Sequence, residues 1–344
     1  MRDIHKKLEG KGGGFTDSKG NAGCISKHEL RKATGHRLFW KREKEMVQKI
    51  ERVSIVGTGN LGTQIAIYAA HFGYEVAAYD PDKKAFFRAC EALKARVEGG
   101  IEKLALTPAQ FQSGADKIHL CSGLAEALDN ADLVIEAVSE DLELKREVFK
   151  QMDALAPPAS ILATNSSSLP VSRIETATRR PEQCLNLHFY QPLMGVNMVD
   201  IMGGTKTTKE VFHTCREWVR SMGCVPLTVN KEIFGFCFNR VWRSVKHEAL
   251  YMWAEGYVDF RDIDRAWMIV NGSRIGPFGR MDLVGLDVVY AIEMSYFNES
   301  KDPKDRPPEA LRSKIEKNEL GVKTGRGFYI YPDPEYGCPG FLKS

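Results

Sequence analysis

The sequence predicts an α/β fold, a doubly wound parallel sheet followed by an all-helical C-terminal domain. Three observations carry this expectation. A β-branched run, a glycine turn and a helical apolar pattern follow one another at residues 52–70. Short apolar runs then alternate with amphipathic stretches up to residue 229. Beyond residue 230 the apolar positions recur at helical spacing alone. A chain of 344 residues has room for both parts. With 43% hydrophobic and 27% charged residues, collagen-like, low-complexity and fully disordered chains are excluded.

The first element is the run Arg52-Val53-Ser54-Ile55-Val56, and Gly57-Thr58-Gly59-Asn60-Leu61-Gly62 follows it at once. In that context each glycine has a physical task. Gly57 makes the tight turn, Gly59 lets backbone approach a pyrophosphate, and Gly62 lets the following helix sit close on the strand. The helix N-terminus then receives the anion, with Asn60 and Leu61 in its first turn. A second strand at residues 75–79 ends in Asp80, 18 residues after Gly62, where an acid binds the adenosine ribose hydroxyls and disfavours NADP. Strand, turn, helix and acid in register make this a Rossmann-type NAD site.

The alternation continues with strands at residues 117–121, 131–138 and 160–164 and a helix at 143–155. Ligands of such sheets sit beyond the carboxyl ends of the strands. Two polar clusters fall there: Asn165-Ser166-Ser167-Ser168, and His188 following Cys184-Leu185-Asn186-Leu187. Read on their own, the serines are also ordinary turn or N-cap residues. Lys145 falls on the exposed face of a helix, and Glu140 is a charge near its start.

The leading segment is set apart by charge. Residues 1–50 hold 13 lysines and arginines against six acids, a net of +7; the remaining 35 against 39 leave −4 for residues 51–344, within a total of +3. That balance argues for neither nucleic acid nor an anionic membrane as partner. Glycines crowd the same segment from Gly10 to Gly23, so residues 1–49 are expected to be a basic, Gly-rich N-terminal extension, mostly irregular. Met46, just ahead of the first strand, marks residues 1–45 as an appendage or an upstream extension. No apolar stretch follows the basic start, as a signal peptide requires, and the acids in it count against a mitochondrial transit peptide, so cytoplasm is expected. Eight cysteines without a Cys-x-x-Cys pair suggest neither a metal site nor a disulfide framework. No apolar run approaches the ~20 residues of a membrane span.

Several further runs are more specific. Residues 131–138 (ADLVIEAV), 142–145 (LELK), 165–170 (NSSSLP), 187–192 (LHFYQP), 235–240 (GFCFNR), 276–278 (GPF) and 323–329 (KTGRGFY) resemble, in order and spacing, the L-3-hydroxyacyl-CoA dehydrogenase family. The resemblance runs from about residue 50 to 331. It implies NAD-dependent oxidation of a 3-hydroxyacyl-CoA to the 3-ketoacyl-CoA, or the reverse. It further implies an NAD-binding domain at residues 50–229 and a helical substrate and dimerisation domain at 230–344, with an acyl-CoA thioester as substrate and a homodimer as assembly.

Oxidising an alcohol by hydride transfer needs a base for the hydroxyl proton, and histidine titrates in the right range. His188 is the candidate. Its partner, by the resemblance, is the acid twelve positions on, Asp200, where the family more commonly has glutamate; the shorter side chain reaches if its strand sits closer, or a water bridges the gap. The resemblance also assigns Ser167 and Asn239 to the substrate's 3-oxygen, and Glu140 and Lys145, with Asn165, to the nicotinamide side of NAD. Two departures bear on substrate preference: Gln191 stands where the family has asparagine, and Ser139 where it has an apolar residue. Relatives acting on a free hydroxy acid or hydroxy amine, such as lambda-crystallin-like or carnitine dehydrogenases, share the glycine turn and the His-acid pair. A non-catalytic dinucleotide-binding protein on the same fold is the remaining alternative.

Overall fold

The structure is a computed structural model and describes residues 48–98, 106–193 and 195–343. Of the expected N-terminal extension, residues 1–47 lie outside the described residues.

One sheet of eight strands organises the first part: β1 (Arg52–Val56), β2 (Glu75–Tyr79), β3 (His119–Leu120), β4 (Leu133–Glu136), β5 (Ile161–Thr164), β6 (Cys184–Phe189), β7 (Met198–Gly203) and β8 (Val225–Val229). Their order is β3-β2-β1-β4-β5-β6-β7-β8. The chain runs outward from β1 to β3, then restarts at β4 on the other side of β1. A crevice therefore opens beyond the carboxyl ends of β1 and β4, the switch point at which doubly wound sheets bind ligands. β4, β5 and β6 are buried along their whole length, as continuous apolar runs covered on both faces must be. β3 is two exposed residues at the edge.

Within the expected doubly wound parallel sheet one neighbouring pair runs the other way. β6 and β7 pair antiparallel, while every other neighbouring pair is parallel. The connection between them is short, and a short link can only reverse the chain. β6 also runs two residues further than expected, to Phe189, so His188 lies within a strand rather than beyond one.

Helices cover both faces. On one, α1 (Asn60–His71) buries Ile65 and Ile67 in a core that continues through α2 (Ala85–Glu98) and α3 (Pro108–Ala115) to Trp218 of α6 (Lys209–Ser221). On the other, α4 (Leu124–Leu128) and α5 (Leu142–Leu155) pack Leu128, Phe149 and Met152 against Val134 and Leu162. The starts are chemically marked. Thr107 and Gln110 form a reciprocal cap at α3, Asp141 accepts from Leu144 N at α5, and Thr208 accepts from Val211 N at α6.

Beyond β8 the described chain is helical: α7 (Phe238–Ala254), α8 (Phe260–Asn271), α9 (Pro277–Val284), α10 (Leu286–Ser300) and α11 (Glu309–Glu316). They enclose a separate core around Leu250, Phe278, Met281, Leu286 and Phe328. Two buried carboxylates tie the C-terminal segment into it. Asp264 accepts from Phe278 N, Gly279 N and the Tyr329 hydroxyl; Asp282 accepts from Phe328 N, Tyr329 N and the Tyr331 hydroxyl. Residues 325–331 form turns with isolated bridges held by these acids. Among the described residues no helix is long and apolar enough to cross a membrane.

Replacing a carboxylate that satisfies buried amides leaves those donors unpaired, which costs more than the bonds are worth on balance. Asp282→Ala is therefore expected to lower the unfolding free energy by about 3 kcal/mol. Urea denaturation followed by tryptophan fluorescence checks this; a midpoint within error of wild type contradicts it.

Candidate active site

The turn after β1 is built around three glycines. Gly57 has φ +100°, a left-handed conformation, and a Cβ there would lie 2.8 Å from the backbone of Ala137 at the end of β4. At Gly62 a Cβ would stand 1.9 Å from the Gly57 carbonyl oxygen, so only glycine lets α1 approach the turn. Gly59 is different: a Cβ there meets nothing within 4 Å, and the residue lines the crevice. No side chain caps α1 and no acid stands in its first turn, which leaves its N–H groups for an anion.

Asp80 ends β2 and reaches back to this turn. Its Oδ2 accepts from Thr58 N at 2.7 Å and its Oδ1 from Asp82 N at 2.9 Å. Each carboxylate oxygen keeps a second lone pair for a ribose hydroxyl. The residue borders a cavity of about 280 Å³ with Thr58, Lys83, Phe86 and Phe87. An open glycine, an uncapped helix start and an acid at the end of the second strand fit a dinucleotide without added phosphate on its adenosine ribose.

A cavity of about 540 Å³ at the crevice gathers most of the remaining candidates: Gly59, Asn60, Leu61, Glu140, Lys145, Asn165, Ser167, His188 and Asn239 all line it. Gly57 and Gly62 lie behind the turn, Asp80 in the neighbouring cavity, and Asp200 behind His188. Asn60 donates to Gln191 Oε1 at 3.2 Å, and Asn165 Oδ1 accepts from Phe189 N at 2.9 Å, which ties the end of β5 to β6. Asn239 sits in the first turn of α7.

His188 and Asp200 face each other directly in the antiparallel register of β6 and β7. Nδ1 of the imidazole is 3.1 Å from Asp200 Oδ2, so the shorter acid reaches without a bridging water. Because the carboxylate only accepts, Nδ1 carries the proton and Nε2 presents its lone pair. The pair is buried, His188 at 4% exposure and Asp200 at none.

Two aromatic neighbours, not selected from the sequence, hold this pair. Tyr190 donates its hydroxyl to Asp200 Oδ2, the oxygen that also meets His188, at 2.5 Å. Burial, and then the Asp200 carboxylate, push the Tyr190 phenol far above its ordinary value, so it remains a donor. Phe236 stacks on the imidazole, 18° from parallel with centroids 5.0 Å apart. Its φ of +53° is rare for a bulky residue and marks local strain beside the site. The His-x-Tyr spacing was a visible signal for Tyr190, since residues two apart share a face of an extended chain. Nothing local marked Phe236.

Lys145 departs from its expected solvated position. It is 1% exposed, with Nζ 2.8 Å from Glu136 Oε1 and 3.3 Å from Glu140 Oε2. Glu136, missed because it lies within an apolar strand, is the acid that makes this burial possible. Glu140 Oε1 accepts from the hydroxyls of Ser166 and Ser168 and from Ser168 N. Partial burial pushes its carboxyl up, but Lys145 and the serine hydroxyls outweigh that and hold it below its ordinary value. The two outer serines are thereby engaged. Among the described residues the Ser167 hydroxyl has no partner, and it lines the cavity.

Comparison with known proteins agrees with this geometry. Residues 52–233 match the family model described as the 3-hydroxyacyl-CoA dehydrogenase NAD binding domain, and residues 235–331 match the C-terminal domain of the same enzymes. A probable 3-hydroxybutyryl-CoA dehydrogenase of Bacillus subtilis is 33% identical over 285 residues, covering 83% of this chain and 99% of the relative. Among solved structures, a diketoreductase acting on dicarbonyl compounds is 36% identical with a TM-score of 0.74, covering 83% of this chain and 100% of its own. The (S)-3-hydroxybutyryl-CoA dehydrogenase of Ralstonia eutropha has the same TM-score and coverage at 29% identity.

The contact at Gly62 leads to a direct test. Gly62→Ala must push α1 away from the turn, since the obstructing atom is backbone, at a cost of about 1–3 kcal/mol. NADH binding, read by fluorescence titration, is expected to weaken by roughly tenfold or more. Wild-type affinity would show that α1 does not need its close seat on the turn.

Proposed function

From the premise that this chain belongs to the 3-hydroxyacyl-CoA dehydrogenase family and is an NAD-dependent oxidoreductase, we propose that it interconverts (S)-3-hydroxyacyl-CoA and 3-ketoacyl-CoA, with His188 as general base and acid. The observation that carries this reading is the buried His188–Asp200 pair, whose imidazole opens on the same cavity as Gly59 of the dinucleotide turn. In domain terms, residues 50–229 hold the cofactor, and residues 230–344 complete the substrate site.

Bound NAD supplies the hydride acceptor. The side chains do the rest. In the oxidative direction His188 Nε2 takes the proton of the 3-hydroxyl, and the resulting imidazolium is stabilised by Asp200 across the strand pair. Tyr190 fixes the Asp200 carboxylate by donating to the shared oxygen, and is a positioning residue. Ser167 and Asn239 hold the 3-oxygen, which orients the reacting carbon. Glu140, set by Lys145 and the outer serines, lies with Asn165 along the nicotinamide side of the crevice. Exposed apolar residues on α7, α8 and α9, among them Val241, Val270 and Leu283, supply a face for a homodimer.

His188→Ala is expected to lower turnover by roughly 10²–10⁴-fold while NADH binding persists, assayed with NADH across 3-ketoacyl-CoA thioesters. Turnover near wild type removes His188 from the chemistry. A panel in which no thioester consumes NADH overturns the substrate assignment. Tyr190→Phe tests the positioning role through the split between kcat and KM. Without the phenol the Asp200 carboxylate loses the bond that fixes it, and kcat for oxidation is expected to fall by roughly tenfold while KM stays within about twofold. An unchanged kcat assigns Tyr190 to packing alone.

A further inference from the structure

A second cavity, about 650 Å³, opens off the first. The two share Glu140, Ser167 and Asn239 in their walls, so the second leads away from the groups proposed to hold the 3-oxygen. Much of its lining is apolar, with Phe234, Met281, Val284, Val288 and Ile292. An unsubstituted alkyl chain would need nothing more.

Two cations interrupt that lining. Lys246 is 4% exposed and borders the cavity. Arg280 borders it too, its guanidinium over the Trp242 ring at 5.5 Å from the centroid, with no carboxylate partner among the described residues. α7 sets the spacing. Asn239, Trp242 and Lys246 stand at i, i+3 and i+7, one stripe of the helix facing the cavity. At 1.5 Å per residue, Lys246 lies about 10 Å along the axis from Asn239.

The hydrogen-bonding capacity of the Lys246 ammonium is only partly met inside the protein. Its ion-pair partner is Glu293, Nζ to Oε1 at 3.2 Å. That same carboxylate also faces Arg243 Nε at 3.2 Å and His247 Nδ1 at 3.5 Å. Arg243 has a second carboxylate partner in Asp305 at 2.8 Å, so Glu293 supplies Lys246 with one contact, while an ammonium offers three hydrogens. Burial correspondingly pulls the Lys246 ammonium below its ordinary value. A cation beside an apolar cavity is costly unless an anion meets it there.

We propose that this cavity is a carboxylate subsite, and that the preferred substrate carries a terminal carboxylate on its acyl chain, received by Lys246 and Arg280. The assignment rests on the thioester reading above. It deepens that reading by naming the substrate class: ω-carboxy-3-hydroxyacyl thioesters rather than simple alkyl ones.

The test compares 3-ketoacyl-CoA thioesters of six, eight and ten carbons, each with and without a terminal carboxylate, by NADH consumption. Wild type is expected to favour the carboxylated member of at least one pair by roughly tenfold or more in kcat/KM, the range of one charge-assisted bond. Lys246→Met should lower that ratio by a similar factor, and Arg280→Gln should move it the same way. Lys246→Met/Glu293→Gln removes both buried charges and serves if the single variant does not fold. A wild-type ratio of one or below at every length overturns the proposal, as does a ratio unchanged in the Lys246 variants. If no thioester is turned over, the proposed function fails, and glutarate reads the subsite separately. Glutarate then raises the Tm of the NAD-loaded wild type but not of the Lys246 variant, whereas no shift in wild type overturns the subsite.

Discussion

The antiparallel pairing of β6 with β7 is the constraint on which the site depends. It places His188 and Asp200 directly opposite each other, so a side chain one methylene shorter than glutamate still meets the imidazole. A one-residue slip would send one of the two to the other face of the sheet. Neighbouring ladders of buried residues fix that register, and the reversal at this single strand pair is therefore a feature of the site as much as of the fold.

Around the pair, polar groups are held in a definite order. Asp200 is fixed by Tyr190, and Phe236, in a conformation a phenylalanine rarely adopts, covers the imidazole. The Glu136–Lys145–Glu140 cluster restrains the serine loop. Its hydrogen bonds engage Ser166 and Ser168 and leave Ser167 open to the cavity. In both arrangements buried polar groups are held by neighbouring polar groups, and Ser167, which has no partner among the described residues, lines the cavity.

The helical part contributes in another way. Its core is separate from the two sheet cores, and it brings Asn239, Trp242 and Lys246 to the second cavity along one stripe of α7. Asp264 and Asp282 fasten the C-terminal segment around α9, the helix that carries Met281 and Val284 into the second cavity. Packing in this part thus shapes the pocket wall without supplying the proposed base.

The fold class, the glycine turn with Asp80 and a histidine near the end of a strand were legible in the sequence as local patterns of spacing and residue type, whereas Asp200, Ser167 and Asn239 were singled out only through the resemblance of their motifs to the family. The end of β6 was not legible, since whether a strand continues through His188 depends on the partner that pairs with it. Lys145 reads as a surface residue from helical periodicity, and only the approach of Glu136 from another strand puts it inside. Phe236 and the shared Glu293 act through contacts between segments distant in the chain, and no short window of sequence contains both partners. The sequence by itself determined which elements form and which chemistry they carry. Tertiary structure alone decided which of those groups are buried together, because burial and electrostatic pairing are properties of the space between elements.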